Sequence, residues 1–388
     1  MKPWIVASAT ALALCAGLAC GGGSSSSSGA TASSDPWAPV TQAVQANLSQ
    51  FPNGICLEVM TPAGVVYSQS FAGSGGSITN STLTEVASAS KWVSSTVIMR
   101  LLDEGVFPHG LDTKTSELLT DAHTGQPWTG NMGNITLRDL LSFTSGIPGD
   151  DPNADVQTPL TFSLGDATQA IYDDDHSTAS APNSYFYYGN SHLRIAAHMA
   201  EVATGKSWAQ IFQEQVHDPM QWGPHSVFLT NHPTDQNPDP AGDLSCTGVE
   251  YMRLVAMELR NGQDNGAVFL QPATWTAQRT DGFGPTTTVV YSPADVSLGK
   301  SYHYALGNWI GTADGNPESP TNPPIWFGST GTFGWGPWVA ADGTYGAIIE
   351  TKQPSNGQGG PTETLKGVLD PLIRAAIAQN PSVIRTVP

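Results

Sequence analysis

The pattern of apolar and polar residues predicts strands near both ends of the chain. Residues 37–51 place apolar side chains at helical spacing, which favours a first helix. Two β-strands joined by a tight turn are predicted directly after it, at 55–60 and 64–71. In the last third of the chain, four strand candidates lie between turns rich in Gly, Pro and Asn, at 302–310, 324–328, 334–340 and 345–351.

The middle of the chain has helical spacing instead. A helix is predicted to begin at Ser88, and others span 135–141, 191–203, 208–216 and 248–260, with a final amphipathic helix at 362–378. Thr136 is expected to cap one of them and Gly205 to end another. The polar, acidic residues 149–182 are predicted to form a loop.

This order of elements indicates an α/β (α+β) fold. We expect an antiparallel sheet that is built from both chain ends and flanked by helices, with an inserted all-helical lobe. The α/β lobe would comprise residues 37–105 and about 262–388, and the helical lobe about 106–261. A mature chain of about 350 residues suits two lobes or one large domain.

The N-terminus has the pattern of a targeting segment. Residues 1–19 contain Lys2, an apolar run and small residues at its end, as in a signal peptide. Cys20 follows directly, so we weigh a lipoprotein with lipid on Cys20 equally against an ordinary secretory signal. Residues 20–36 are rich in Gly and Ser and predict a flexible tether. The expected location is the periplasm or cell envelope, with a lipid anchor as the only membrane contact.

Composition narrows the partners. The chain has 33 acidic and 15 basic residues, a formal net charge of −18, which argues against a nucleic-acid partner. No metal site and no cofactor are predicted. Cys56 and Cys246 could form a disulfide in an exported protein, but we slightly favour two buried thiols because their separation is unknown.

The candidate chemistry lies at Ser88 and Lys91, which form an S-x-x-K pattern. One helical turn apart, the hydroxyl and the amine can touch, and the helix N-terminus favours developing negative charge. The pattern recurs at Ser297 and Lys300, where Gly299 intervenes and no apolar helix follows. Downstream of Ser88 lie Tyr188-Gly189-Asn190 and Ser329-Thr330-Gly331, the second of these between two predicted strands.

These motifs, in this order, resemble those of the serine β-lactamase/penicillin-binding-protein clan. The resemblance is to the branch of class C β-lactamases, D-Ala-D-Ala carboxypeptidases and family VIII esterases. The segments 135–148, 242–247 and 304–307 also resemble segments of this branch. The third motif is K-T-G or H-T-G in most relatives, so Ser329 stands in place of the cation. The 123–125 segment, His-Thr-Gly, has the family's letters but precedes the second motif and is set aside.

The resemblance implies a β-lactamase/transpeptidase-like fold and an acyl-enzyme on Ser88. Lys91 or Tyr188 would be the base, and this choice stays open. Asn190 would bind substrate and hold Lys91. The 329–332 segment would line the substrate site through Ser329, Thr330, Gly331 and Thr332. The backbone N–H groups of Ser88 and Thr332 would form the oxyanion hole.

Ser329 affects the expected substrate. Without a cation there, affinity for carboxylates should fall unless Arg279 or Lys300 substitutes. We therefore expect an esterase or D-Ala-type peptidase rather than an efficient β-lactamase, acting on a small ester, amide, peptide or β-lactam. The aromatic residues around the third motif could line an acyl pocket or pack in the core.

The alternative is a non-turnover penicillin-binding sensor or a pseudoenzyme of the cell envelope. The intact serine, lysine and tyrosine argue against a pseudoenzyme, while Ser329 keeps that alternative open. A conventional Ser-His-Asp hydrolase has little support, since the chain has no G-x-S-x-G sequence.

Overall fold

The computed structural model describes residues 35–150, 162–228, 237–313, 315, 323–353 and 360–379. The predicted signal peptide, Cys20 and nearly all of the predicted tether lie outside these residues. Within them, no helix is both long enough and apolar enough to cross a membrane.

The described residues form helices and short strands that alternate along the chain. The helices are α1 Ala38–Asn47, α2 Ser90–Asp103, α3 Thr115–Leu118, α4 Gly130–Asn134, α5 Leu137–Leu141, α6 Leu164–Asp175, α7 Ser191–Thr204, α8 Trp208–Phe212, α9 Gly248–Leu259, α10 Pro272–Gln278, α11 Pro293–Leu298 and α12 Gly360–Gln379. The strands are β1 Ile55–Thr61, β2 Gly64–Phe71, β3 Thr84–Glu85, β4 Tyr185–Tyr187, β5 Val227–Phe228, β6 Leu244–Cys246, β7 Gln263–Asp264, β8 Ala267–Val268, β9 Thr288–Tyr291, β10 His303–Tyr304, β11 Trp309–Thr312, β12 Pro324–Gly328, β13 Gly336–Ala340 and β14 Gly346–Glu350.

Both ends of the chain build the main sheet. Its seven strands have the order β10-β11-β12-β13-β14-β1-β2, and every neighbouring pair is antiparallel. The N-terminal strand β1 pairs directly with the last strand β14, with Leu57 opposite Ile349. The predicted fold class, a sheet built from both ends and flanked by helices, is therefore confirmed.

Helices cover the two faces of this sheet. Successive strand residues point to opposite faces of the sheet. On one face, Lys366 of α12 lies over the ring of Trp338 in β13. On the other face, the side chains of Val339 and of Val255 in α9 both lie near Gly346. The C-terminal helix α12 also packs against α1. Helix α9 thus packs on the sheet, although its residues were assigned to the end of the helical lobe. The boundaries of the two lobes stay a prediction.

Helix α2 runs through the core. Eleven of its residues are buried, including the polar side chains of Ser94, Ser95 and Thr96, and it contacts α7 and α10. The buried hydroxyls donate to backbone carbonyls, as from Ser94 to Pro240 at 2.5 Å and from Ser95 to Leu306 at 2.6 Å. Because a helix enclosed on all sides is firmly held, residues at its N-terminus have fixed positions.

Two predicted elements differ from the structure. The predicted loop 149–182 contains helix α6, which Ser163 caps by accepting from the Asp166 backbone N–H. The predicted strand 302–310 is instead two short strands, β10 and β11, separated by a turn in which Gly307 has a φ of 84°. Cys56 and Cys246 are both buried and free, as favoured above.

Candidate active site

The nucleophile candidate lies in a tight turn just before α2. The prediction that Ser88 begins the α-helix is corrected by two residues: Ser88 is in the 3₁₀ segment Ala87–Ala89, and α2 starts at Ser90. Ala87 has a φ of 48°, a left-handed conformation that a residue with a side chain rarely adopts. Such strain persists only where surrounding structure holds it, and Ser88 is left partly exposed at this point.

Lys91 lies directly beneath Ser88. Its ammonium Nζ donates to Ser88 Oγ at 3.1 Å, to Asn190 Oδ1 at 2.9 Å and to the Ala241 carbonyl at 3.0 Å. All three acceptors are uncharged, and the side chain is 1% exposed. Burial lowers the pKa of Lys91 to about 8, although the carboxylates of Asp239 and Asp150 act in the opposite direction. A fraction of this amine is therefore neutral near physiological pH.

In the described part of the chain, the carboxylates of Asp239 and Asp150 are linked to Lys91 by hydrogen bonds through Asn190. Asn190 Nδ2 donates to Asp239 Oδ2 at 2.7 Å, and its backbone N–H donates to Asp150 Oδ1 at 2.9 Å. These contacts orient the Asn190 amide so that its oxygen faces Lys91. Asp239 also pairs with Arg194, which is buried, at 3.6 Å. Sequence reasoning identified Asn190 but missed Asp239, which carries no recognisable motif.

Tyr188 completes the polar group around Ser88. The Ser88 side chain lies close enough to act on the Tyr188 phenol electrostatically, and the Lys91 ammonium lies 4.9 Å from the centre of the Tyr188 ring. The ring stacks on Trp309 with centroids 5.1 Å apart and meets Phe143 edge-on. Burial raises the pKa of the Tyr188 phenol well above its usual value. The phenol is thus held firmly in its neutral, proton-bearing form.

The third motif approaches the same turn. Ser329 Oγ donates to the Ser88 carbonyl oxygen at 2.9 Å. A Cβ added to Gly331 would lie 2.2 Å from the Val86 carbonyl oxygen, so only glycine permits this close approach. The structure therefore brings Ser329 and Gly331 to Ser88. The oxyanion hole formed by the Ser88 and Thr332 N–H groups stays a prediction.

A cavity opens near Ser88, which is not itself among the residues that line it. Tyr188 and Thr330, which flank the serine, form part of its wall, and most of the remaining wall is aromatic or aliphatic. The other lining residues are Pro293, Ala294, Leu298, Tyr302, Trp309, Trp326 and Glu363. The aromatic residues near the third motif were predicted either to line an acyl pocket or to pack in the core, and examples of both positions occur. Trp326 lines the cavity, whereas Trp338 donates to Tyr345 in the core at 3.0 Å.

An ion pair lies beside Thr330 at the cavity wall. Thr330 Oγ1 donates to Glu363 Oε1, and Lys366 Nζ contacts the same carboxylate at 3.1 Å. Lys366 is 2% exposed, and its ammonium lies 3.1 Å from the centre of the Trp326 ring. Sequence reasoning missed both charged residues. The available signal was Lys366 itself, which falls on the apolar face of the final helix.

Neither predicted replacement for the missing cation lines this cavity. Arg279 packs over the Phe327 ring at 4.2 Å and pairs with Glu258 at 3.7 Å. Phe327 follows Trp326 in β12 and so points to the opposite face of the sheet. Lys300 is likewise not among the residues that line the cavity.

The rival motifs lie elsewhere. Ser297 is exposed, and Gly299 ends α11 with a φ of 62°, so Lys300 does not follow Ser297 along a helix. His123 is exposed in a surface turn, where its Nε2 contacts Asp173 at 2.9 Å. The structure therefore favours the motif at Ser88 over both rivals.

A serine–histidine pair behind the site is structural. Ser145 Oγ and His192 Nδ1 lie 2.9 Å apart, and His192 Nε2 lies 2.8 Å from the Tyr187 carbonyl, to which it donates. Burial lowers the pKa of His192 to about 4, so the ring is neutral. Both residues are fully buried and beyond reach of a substrate. The pair instead holds the strand that leads to Tyr188.

The fold and this cluster define the class: a penicillin-binding or β-lactamase type of protein with a serine–lysine site. Residues 44–364 match the sequence model of the family described as Beta-lactamase, which is most of the chain. The chain belongs to this family, as its motifs indicated, and has the fold of the family's serine hydrolases.

Individual relatives share low sequence identity with this chain. Protein flp of Staphylococcus aureus (strain MW2) is 28% identical over 148 residues, which are 38% of this chain and 28% of the relative. The match thus spans little more than a quarter of that protein's length. A proposed β-lactamase from Bacteroides dorei has a TM-score of 0.71 at 25% identity, covering 87% of this chain and 99% of its own. EstCE1, a hydrolase with promiscuous acyltransferase activity, has a TM-score of 0.64 at 16% identity, with 85% and 98% covered; it shows the fold alone.

Proposed function

We propose that the protein is an exported serine acyl-hydrolase that acts through an acyl-enzyme on Ser88 and prefers esters to β-lactams. The observation that carries the proposal is the 3.1 Å contact between Lys91 Nζ and Ser88 Oγ, made by a buried amine whose acceptors are all neutral. A serine hydroxyl is a weak nucleophile until a neighbouring base takes its proton. The contact supports Lys91 as that base.

Burial of the two side chains supports Lys91 as the base and Tyr188 as the proton donor. An apolar surrounding disfavours the charged form of each group, so it favours a free amine at Lys91 and an intact phenol at Tyr188. In the proposed acylation, Lys91 Nζ takes the Ser88 proton while Ser88 Oγ bonds to the substrate carbonyl carbon. The bond from that carbon to the leaving oxygen then breaks, and Tyr188 relays a proton to that oxygen.

Deacylation would repeat these transfers with water. Water loses a proton to the same base and attacks the acyl carbon, and the proton returns to Ser88 Oγ as the ester bond to the serine breaks. Asn190 would keep the Lys91 amine aimed at Ser88 throughout. The predicted Ser88 and Thr332 N–H groups would stabilise the oxyanion, a contribution of about 10²–10³ in rate for one donor.

The cavity supports an ester or simple amide as substrate. Its wall is mainly aromatic and aliphatic, which suits an apolar acyl chain. Ser329 supplies a hydroxyl that already donates to the Ser88 carbonyl. The similarity to EstCE1, named as a hydrolase with acyltransferase activity, also supports transfer through an acyl-enzyme.

The test compares three substrates. Purified protein is offered p-nitrophenyl butyrate, nitrocefin and a D-Ala-D-Ala peptide, beside Ser88→Ala and a matched control, Ser297→Ala, in the rival motif. We expect ester turnover that Ser88→Ala abolishes and Ser297→Ala retains. Ester turnover that survives Ser88→Ala would refute the nucleophile. Efficient nitrocefin hydrolysis would refute the ester preference, and stoichiometric labelling by a fluorescent penicillin without turnover would favour the sensor.

Export and lipidation form a separate part of the proposal. The signal-peptide pattern of residues 1–19 and the following Cys20 support them. Expression in a bacterial host, followed by fractionation, should place the mature protein outside the cytoplasm. If Cys20 carries lipid, Cys20→Ser will move the protein from the membrane fraction to the soluble fraction. Retention of the full-length chain in the cytoplasm would refute export.

A further inference from the structure

We infer that Glu363 makes the cavity selective against substrates whose acyl group carries a carboxylate. The inference deepens the proposed function and depends on it, since it concerns which esters reach Ser88. It rests on three features of the cavity wall around Thr330: the position of Glu363, the use of the Thr330 hydroxyl, and the pairing of Lys366.

Glu363 brings a carboxylate into the cavity wall. The residue lies in the first turn of α12 and lines the cavity together with Tyr302 and Thr330. Its charge acts on this wall, because it adds to burial in raising the pKa of the Tyr302 phenol. An incoming anion would therefore meet a negative group in surroundings that water screens poorly.

The Thr330 hydroxyl is already occupied. It donates to Glu363 Oε1, so the third motif directs this donor to the protein's own carboxylate. A substrate carboxylate would have to displace Glu363 from Thr330 before it could accept the same hydrogen bond. Ser329 is committed in a similar way, because it donates to the Ser88 carbonyl.

No cation compensates within the described part of the cavity wall, which contains neither lysine nor arginine. Lys366 of α12 carries an ammonium close to this wall. That ammonium is 3.1 Å from the Glu363 carboxylate and is covered by Trp326. The Lys366 ammonium is paired and covered, whereas the Glu363 carboxylate lines the cavity. The lining residues can therefore hold an uncharged or apolar group but present no cation to an anion.

The experiment compares two esters of similar size: p-nitrophenyl butyrate and mono-p-nitrophenyl glutarate, whose acyl chain ends in a carboxylate. The ratio of their kcat/KM values is measured for the wild type, for Glu363→Gln and for the control Glu214→Gln. Glu214 also pairs with a lysine, Lys206, but is exposed and lies outside the cavity. The control removes the same charge from the chain without changing the cavity wall.

We expect the wild type to favour the neutral ester by about tenfold or more, as expected for two like charges in one partly desolvated site. Glu363→Gln should remove most of this preference, because it frees the Lys366 charge and deletes the repelling one. Glu214→Gln should keep the preference. In the wild type, higher ionic strength should reduce it.

Two results would overturn the inference: a wild-type enzyme that hydrolyses both esters equally well, or an unchanged ratio in a folded Glu363→Gln variant. The wild-type and ionic-strength measurements can overturn the inference even if that variant does not fold. Absence of any Ser88-dependent turnover of p-nitrophenyl butyrate would refute the proposed function itself, and the inference with it. The neutral ester thus separates the two failures.

Discussion

Lys91 and Lys366 are both buried near the cavity, yet their hydrogen-bond and ion-pair partners differ. Lys91 contacts only neutral acceptors, and the carboxylate of Asp239 reaches it through Asn190. Lys366 directly contacts the carboxylate of Glu363. Burial lowers the pKa of both amines, although in each case a carboxylate opposes the change.

The difference shows how the position of a carboxylate decides what a buried lysine can do. A direct ion pair stabilises the protonated form of the lysine, so the amine cannot accept a proton as a base. A carboxylate one residue further away orients the site while allowing the amine to lose its proton. The sequence contains a serine three residues before Lys91 and a glutamate three residues before Lys366. One spacing thus yields a candidate base in α2 and a charge pair in α12.

The largest effect should follow removal of the amine at Lys91. Lys91→Met deletes the proton acceptor for Ser88, so we expect ester kcat/KM to fall by about 10²–10⁴-fold, the usual contribution of general-base catalysis. The matched control is Lys300→Met, in the rival motif. Steady-state ester hydrolysis measures both variants. Near-normal activity in a folded Lys91→Met protein would show that Lys91 is not the base.

The pH dependence should give the next largest effect. The base must be unprotonated, so the rate should rise with pH by about tenfold per unit below the pKa of Lys91 and level off above it. Since that pKa is about 8, the midpoint should lie near pH 8. The profile is measured with p-nitrophenyl butyrate after subtraction of the Ser88→Ala background. A rate that falls as the pH rises toward 8 would contradict the assignment.

Asp239→Asn should have a smaller effect that tests the indirect carboxylate. The variant loosens Asn190 and removes a charge that favours the ammonium. We expect kcat to fall by about tenfold, in line with loss of a charge-assisted hydrogen bond. The midpoint of the pH profile should also move to lower pH.

The matched control is Asp264→Asn, which breaks another Asp–Arg pair, formed with Arg253 at 3.1 Å. That change should leave the midpoint in place. A merely structural role for Asp239 would lower activity without moving the midpoint, so the midpoint distinguishes the two accounts.

The smallest effect should be on stability and concerns Lys366. Lys366→Met leaves the Glu363 charge with Thr330 as its remaining partner, so we expect a loss of about 1–3 kcal/mol in the free energy of unfolding. Lys91→Met should cost less, because the three hydrogen-bond acceptors of Lys91 are neutral, so the change leaves no directly paired carboxylate without its cation. Urea unfolding at pH 7 compares the two variants. A larger loss for Lys91→Met would contradict the contrast between the two sites.

The local part of the structure was predictable from the sequence. Strands 55–60 and 64–71 correspond to β1 and β2, and Thr136 and Gly205 cap and end their helices as expected. Helix α6 was missed although Leu164, Ala167 and Ile171 have helical spacing, because the acidic residues around them favoured a loop. Hydrophobic spacing therefore identified an element best where the composition of the surrounding residues favoured the same structure.

The site was predictable only in part. Ser88, Lys91, Tyr188 and Asn190 belong to motifs that could be recognised in order, and the structure brings them together. Glu363 and Trp309 reach the cavity through long-range packing of α12 and β11, and neither has a local pattern that reports such a position. The oxyanion hole likewise depends on distances between segments that are far apart in the chain.

The most direct test of the account is identification of the acylated residue. Protein mixed with p-nitrophenyl butyrate is quenched rapidly in acid during turnover, digested and analysed by mass spectrometry. The account predicts one butyryl group on the peptide that contains Ser88, and none in Ser88→Ala. A butyryl group on another residue during productive turnover, or undiminished turnover by Ser88→Ala, would contradict it.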